Sequence, residues 1–308
     1  MAITRTAKGT AQSKAANPTL TLSSVALNAG DMLVVGLGYE TDAAIVSVKW
    51  GNRSLKLVTS SGATHGDTRV RLYRARVRNT FVRDVVVTWA ANMSARCLFA
   101  TALTEVSIKD VGSTNTHGSG TTAPTTGAAV TSTDPDTMSI AAFVSEGPSG
   151  DTAGTAGVGH TLGQRVGTTG GGASSNVTIQ ETFELLTVVG NVRATLSGAT
   201  GRTWATSIVA FRSSEVYTII SAERKLWSGH PASDSVHFRI EDAANVLRFE
   251  MSIATEAFLQ MTDAEITAVL KSAAAREAEI LEGPLGIPSV DTALDTRIAT
   301  FVNDKLTV

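Results

Sequence analysis

Apolar residues in the first two thirds of the chain fall in short runs cut by turn residues, with no helical period. In the first 110 residues the runs are 20–27, 32–39, 45–50, 55–59, 68–78, 82–89 and 96–106, about seven predicted strands. The turn Asn28-Ala29-Gly30-Asp31 separates the first two. Leu33-Val34-Val35-Gly36-Leu37 is continuously apolar, which predicts a central strand covered on both faces. In 68–78 the apolar parity flips near Tyr73-Arg74, as a β-bulge there would cause. Turn signals at this spacing predict a sandwich or jelly roll, with Trp50 and Trp89 capping its core.

The pattern then repeats. Pro18 and Pro124 lie in similar contexts 106 positions apart, and Met32 faces Met138 at the same offset. Leu55 and Leu162 match at 107, Val58 and Val166 at 108, and Asp84–Thr88 pairs with Asn191–Thr195 at 107. Arg96 and Arg202, again 106 apart, each open the closing strand of their copy. The Gly/Ser/Thr stretch 112–127 therefore reads as the lead-in of a second copy, not as a flexible linker.

Beyond residue 213 the vocabulary shifts toward Glu, Leu, Phe and Ala. The alternating runs 236–240 and 246–252 predict a β-hairpin. Thr262 and Glu265 have capping-box spacing. Ile266, Val269, Leu270, Ala273, Ala274, Ile280 and Leu281 then form one helical face, which Gly283-Pro284 ends. A second helix is expected over 290–305. The fold class is therefore mainly β, two tandem β-sandwich (jelly-roll or Ig-like) units followed by a small α+β module. The expected domains are 1–108, 109–213 and 214–308.

Composition sharpens this picture. The 308 residues are 43% apolar but 5% aromatic and 18% charged, with a single cysteine, Cys97, so no disulfide framework forms within one chain. No run is long and apolar enough for a membrane-spanning helix, and Met1-Ala2-Ile3-Thr4-Arg5 lacks a signal-peptide stretch. The net charge of −2 hides a partition. Residues 1–213 hold 18 Lys and Arg against 13 Asp and Glu, whereas 214–308 hold 8 against 15. Most of the positive charge sits in 1–110, with 14 against 7, but without the interleaved aromatics of a single-strand-binding platform, so nucleic acid is not expected as a partner.

Little of the sequence suggests chemistry. His65, His117 and His160 fall in loops, and with His230 and His237 they show no metal-ligand spacing. Nucleophile-elbow and phosphate-loop motifs are missing, and the Gly-rich segments 147–159 and 167–172 read as loops. Asp134 and Asp136 read as a turn; Glu181 and Glu184, three apart on a strand, point to opposite faces. A glycosidase would need Glu181 or Asp136 to act in a facing pair. Cys97 reads as a small buried hydrophobe. No catalytic, cofactor-binding or metal residue is assigned, and no cofactor is expected.

The segments Leu27-Asn28-Ala29-Gly30-Asp31-Met32-Leu33-Val34-Val35-Gly36 and Val48-Lys49-Trp50-Gly51-Asn52-Arg53-Ser54-Leu55 resemble β-sandwich units of tailed-bacteriophage virion proteins of head-decoration and fibre type. Asn52 and Arg53 replace a usual glycine and a variable residue, and the second copy lacks the Trp-Gly element. The resemblance implies a non-enzymatic virion protein, a capsid decoration or cement protein that binds the major capsid protein and itself as a homo-oligomer. Made in the host cytoplasm, it would reside in the virion. The alternative it implies is a tail or fibre module binding carbohydrate or a receptor, with Trp50, Trp89, Trp204 and the Gly/His loops as the candidate glycan ligands' contacts.

Overall fold

The computed structural model describes residues 3–40, 43–77, 79–132, 135–213, 218–225, 235–241, 247–254 and Ala257, Met261, Thr262, Glu265 and Val269. The described regular structure is mainly β, built from several antiparallel sheets, with one 3-10 turn at Ala173–Ser175. Contacts divide the chain into two units, Met1–Ser214 and Glu215–Val308.

The first copy supplies β1 (Thr4–Ser13), β2 (Asn17–Leu27), β3 (Met32–Glu40), β4 (Ile45–Trp50), β5 (Arg53–Ser54), β6 (Lys56–His65), β7 (Thr68–Arg76), β8 (Phe81–Met93) and β9 (Arg96–Thr104). They form a five-stranded sheet, β1-β9-β3-β7-β6, and a four-stranded one, β2-β8-β4-β5. The second copy supplies β10 (Val106–Gly118), β11 (Val130–Thr131), β12 (Thr137–Glu146), β13 (Thr155–Ala156), β14 (Thr161–Gly167), β15 (Val177–Leu186), β16 (Asn191–Val192), β17 (Leu196–Ser197) and β18 (Trp204–Ser213). Its five-stranded sheet, β10-β18-β12-β15-β14, has the same strand order as the first. The short pairs β11-β16 and β13-β17 stand where the first copy has its second sheet.

Local features repeat as well. The opening strands β1 and β10 both slip register at a glycine, at Ala7/Gly9 and at Asp110/Gly112. The turns before β3 and β12 place Gly30 (φ 93°) and Asp136 (φ 55°), 106 positions apart, in the left-handed region that Gly and Asp tolerate best. Asp136 is thus a turn residue; Asp134 lies outside the described residues.

The two five-stranded sheets pack face to face. β3 lies on β12; β1 lies on β14 as β10 lies on β6; β9 lies on β15 as β18 lies on β7. Each of these strand contacts recurs with the copies exchanged, the signature of a two-fold, self-complementary interface formed within one chain. All nine residues of β3 are buried, as the continuous apolar run predicts. Its odd-numbered side chains Leu33, Val35 and Leu37 join Trp50, Trp89, Val85 and Val87 in the core against the four-stranded sheet. Gly38 faces the second copy, where an added Cβ would sit 3.0 Å from the Val144 methyls. A Cβ on Gly36 would fall 2.2 Å from the Phe99 ring, so this aromatic fills the space that the glycine leaves open.

One polar cluster interrupts the apolar interface. Glu181 on β15 has no exposed side-chain surface. The Arg5 guanidinium donates to its Oε1 from Nε at 3.0 Å and pairs with its Oε2 through Nη2. Thr101 Oγ1 donates to Oε1 at 2.7 Å, and the Gln164 backbone amide to Oε2 at 3.1 Å. The Gln164 side chain donates to Ala100 O at 2.7 Å and accepts from the Gly9 amide at 3.0 Å. The Arg5 guanidinium also lies 4.3 Å above the Phe183 ring. Four strands from both copies are joined through this carboxylate. Its register counterpart in the first copy is apolar: Ala142 pairs Glu181 as Gly36 pairs the fully buried Leu72.

Several sequence expectations need correction. β7 runs beside β3 in unbroken register, so no bulge occurs at Tyr73-Arg74. The parity flip arises because both faces are covered: Tyr73, Ala75 and Val77 join the first-copy core, while Val70 and Leu72 on the other face are also fully buried. The slip lies instead between β6 and β7, at Leu57/Gly62. Strands β1 and β10 carry too little apolar alternation to be read from sequence; the edges of neighbouring sheet strands place them. Structural register also pairs Arg96 with Tyr39 and Trp204 with Ser145, so the counterpart of Arg96 is Trp204, and Arg202 lies two residues before β18.

In the second unit β19 (Thr218–Lys225), β20 (Ser235–Glu241) and β21 (Leu247–Ala254) form a three-stranded sheet, in which β20 and β21 pair as the predicted hairpin. The reciprocal capping bonds are present: Thr262 N–H donates to Glu265 Oε2 at 2.8 Å, and Glu265 N–H to Thr262 Oγ1 at 3.3 Å. Glu265 and Val269 have helical backbone; the rest of that predicted helix and all of 290–305 lie outside the described residues.

Breaking the cluster from one side should be worse than removing it. Glu181→Leu or Arg5→Met alone should destabilise the first unit by about 3–5 kcal/mol, since each leaves a buried charge unpaired. The double substitution should recover much of that loss. Chemical denaturation of the wild type and the three variants measures the coupling; additive losses would mean that the pair acts independently.

Candidate functional site

The described surface of the first unit holds a cleft on the outer side of the second copy's five-stranded sheet. Phe143 and Trp204 contribute from β12 and β18, Leu196 from β17, and Asp151, Arg165 and Arg202 from the surrounding turns and β14. It is small, with a cavity volume of about 30 Å³, the space of about one water molecule.

The polar wall is tightly organised. Arg202 donates to both carboxylate oxygens of Asp151, from Nε at 2.8 Å and from Nη2 at 3.1 Å. This bond to Asp151 holds the Arg202 pKa up. Arg165 donates from Nη1 to Ser149 O and from Nη2 to Asp151 O, both at 2.6 Å, and so staples the same turn. Gln180 donates through Nε2 to Glu181 O at 2.7 Å, tying the cleft floor to the interface cluster behind it. The Trp204 indole nitrogen is buried and has no hydrogen-bond partner among the described residues. An unpaired buried donor costs about 1–3 kcal/mol.

Comparison of the copies explains why the cleft exists. In the first copy Tyr39 and Trp89 meet edge to face at 5.8 Å. Arg96, almost wholly buried, donates from Nη1 to Ala15 O at 2.9 Å and from Nη2 to Thr19 O at 2.9 Å. Its guanidinium lies 5.9 Å from the Trp89 ring. The corresponding positions of the second copy are Ser145, Leu196 and Trp204. Tyr39 and Trp89 give way to the smaller Ser145 and Leu196, the larger Phe143 stands where the first copy has Leu37, and a small cleft remains.

An acidic region adjoins this end. Glu40 closes β3 and Glu146 closes β12, again 106 positions apart. Burial pushes the Glu40 carboxyl up to about 7, with repulsion from Glu146 and Asp67 adding to it and Lys14 opposing it. Lys14 itself donates to Ser175 Oγ at 2.9 Å and Asn176 Oδ1 at 3.2 Å.

The residues singled out from sequence are otherwise dispersed. Trp50, Trp89 and Trp204 are 5%, 2% and 8% exposed, so none offers an open stacking platform. The Trp50 indole donates to Val25 O at 3.1 Å inside the first-copy core. Glu181 and Glu184 point to opposite faces and form no facing pair: Glu181 meets Arg5, whereas Glu184 Oε2 lies 3.1 Å from His160 Nε2. His160 is buried, contrary to its reading as a surface loop residue, and burial lowers its pKa to about 4. His65 ends β6 and His117 lies on β10, so neither is in a loop, though His117 is exposed. Cys97 is buried, and desolvation drives its thiol pKa far up, which leaves it unreactive. Part of the positive charge of the first copy is internal, since Arg69, Arg74 and Arg96 are buried.

Among the described residues no group of three or more His, Cys, Asp or Glu is placed to hold a metal ion, and no helix is long and apolar enough to cross a membrane.

Glu40 and His160 contribute in opposite senses to the acid response of the first unit. The raised pKa of Glu40 means that the folded state holds this proton more tightly, so its contribution favours folding at low pH and is lost between about 4.5 and 7. The depressed pKa of His160 acts oppositely: its contribution is lost as pH falls from 6.5 toward 4. Glu40→Gln should therefore stabilise the protein by about 1–3 kcal/mol at pH 8 and have little effect at pH 4.5. Thermal unfolding across this range measures the difference; an equal effect at both pH values would exclude a buried, titrating Glu40.

No family model, no curated protein and no solved structure matches this chain.

Proposed function

We propose that this chain is a non-enzymatic structural protein of a tailed-phage virion, which decorates the head by binding the major capsid protein and oligomerises with further copies of itself. Its first 213 residues are read as two tandem jelly-roll or Ig-like sandwiches, and the remainder as an acidic α+β module. The observation that carries this reading is the duplicated strand order, joined back to back into one two-fold body. A doubly covered β scaffold gives a rigid block, which suits lattice attachment better than chemistry. The residues that resemble virion β-units support it, since Gly30, Asp31 and Met32 form the turn into the central strand.

The attachment surface is assigned to apolar side chains that recur in both copies. Phe81 and Val82 at the start of β8 are exposed, and so are Val188 and Val189, 107 positions later. Exposed apolar pairs at equivalent positions suit protein–protein burial, with the unlike charges of the two parts of the chain setting orientation. The virion location and the homo-oligomer rest on the same argument.

Sedimentation of the purified chain, alone and mixed with phage heads that lack it, tests the reading. Oligomers and co-sedimentation with heads are expected. Phe81→Ser combined with Val188→Ser should weaken head binding at least tenfold without changing the unfolding midpoint by more than a few degrees. A monomer that never binds heads would overturn the reading.

A further inference from the structure

We propose that Lys14 and Asn176 condense into an isopeptide bond that ties the two copies together covalently, with release of ammonia. The proposal rests on the two-copy body described above and holds whether or not the chain decorates a head.

The first observation is the meeting of the two groups. Lys14 follows β1 in the first copy, Asn176 precedes β15 in the second, and they lie 162 positions apart. Lys14 Nζ donates to Asn176 Oδ1 at 3.2 Å, to Ser175 Oγ at 2.9 Å and to Gly170 O. The amide is firmly held: Asn176 is 1% exposed, and its Nδ2 donates to Gly172 O at 2.7 Å and to Gly170 O at 2.9 Å. An amine at hydrogen-bond distance from a fixed carbonyl has little entropy left to lose in reaching its carbon.

The second is a pair of carboxyl groups beside them. Glu40 follows Tyr39, which joins the first-copy core, so strand alternation turns Glu40 toward the second copy. It is 6% exposed, and its Oε1 has no hydrogen-bond partner among the described residues. Glu146 pairs with Val177, the residue after Asn176. Burial and the charge of Glu146 raise the Glu40 pKa to about 7, and the nearby charge of Lys14 opposes them. A carboxyl that titrates near neutral pH can both take and return a proton.

These groups suffice for a balanced reaction. The carboxylate pair takes a proton from the Lys14 ammonium, and the free amine attacks Asn176 Cγ. The Nζ–Cγ bond forms and the Cγ–Nδ2 bond breaks. Nδ2 receives a proton from the attacking nitrogen through the carboxyl pair and leaves as ammonia. Lysine ammonium and side-chain amide thus become secondary amide and ammonium, and no oxidant or activated donor enters. The two-fold equivalent of this place lacks both reactants. Glu40 pairs with Thr68 as Glu146 pairs with Val177, so Asp67 is the counterpart of Asn176. Ser13 pairs with Arg96 as Gly118 pairs with Trp204, so Ser119 is the counterpart of Lys14. One bond per chain is therefore expected.

Intact mass spectrometry of the full chain tests the bond. The measured mass should lie about 17 Da, one ammonia, below that of the sequence. Trypsin should yield peptide 9–49 joined to peptide 166–193, with Lys14 uncleaved. Lys14→Arg keeps the cation but removes the nucleophile, and should restore the full mass and the separate peptides. Asn176→Ser should do the same, and Lys14→Arg alone decides where that variant fails to fold. A wild-type chain that keeps the full sequence mass after prolonged incubation at neutral pH overturns the inference. So does an ammonia loss that leaves the two peptides unjoined, or one that survives Lys14→Arg. A chain that binds heads without the bond would remove this inference and leave the structural role standing; a linked chain that never binds heads would do the reverse.

Discussion

The first unit depends on one constraint: two five-stranded sheets must each bury both faces. A strand in that position can present neither an exposed polar side nor an unpaired charge, so β3, β9, β12 and β18 are buried along nearly their whole length. The fully enclosed carboxylate of Glu181 is tolerated because Arg5, Thr101 and Gln164 satisfy it from three directions. Its counterpart, Leu72, leaves the other half of the two-fold interface without such a cluster. The two-fold is therefore broken at this carboxylate.

Divergence between the copies follows the same logic. Residues at the shared interface are held to small or apolar types, because a change there disturbs two sheets at once. Glycines 36 and 38 make this plain, since each lies against a side chain that leaves no room for a Cβ. The outer faces are freer. The first copy covers its outer face with four strands and a large core containing Trp50, Trp89 and Tyr39. The second closes over a smaller cluster around Phe143, Leu196 and Ile208 with two short strand pairs, and the cleft opens where Ser145 replaces an aromatic residue. Function has room to vary on that side of the molecule.

Much of the candidate site was invisible in the sequence. Trp204 was legible as an aromatic residue, but nothing in its neighbourhood announced that it would be buried beside an open space. Asp151 and Arg202 are 51 positions apart and meet only because the turn after β12 folds back toward the start of β18. A clue did exist in the repeat: aligned by strand, Tyr39 meets Ser145 and Trp89 meets Leu196, two losses of volume in one place. Matching Arg96 to Arg202 obscured it, because the copies differ by two residues in the region before their last strand. Histidine 160 misled for a related reason, since a Gly-rich neighbourhood reads as solvated even where the loop turns inward.

By itself the sequence determined what depends on near neighbours along the chain. The period-two runs, the turn at Asn28–Asp31, the central strand of β3 and the Thr262–Glu265 capping bonds are each set by a few consecutive residues. The duplication was legible because equivalent positions keep equivalent jobs. Tertiary structure alone decided that the copies stand back to back, that poorly apolar β1 and β10 are strands, and that Glu181 faces Arg5 across 176 positions. The physical reason is that sheet pairing and charge burial draw on partners far apart in sequence. A strand's second face shows its purpose only when another sheet covers it.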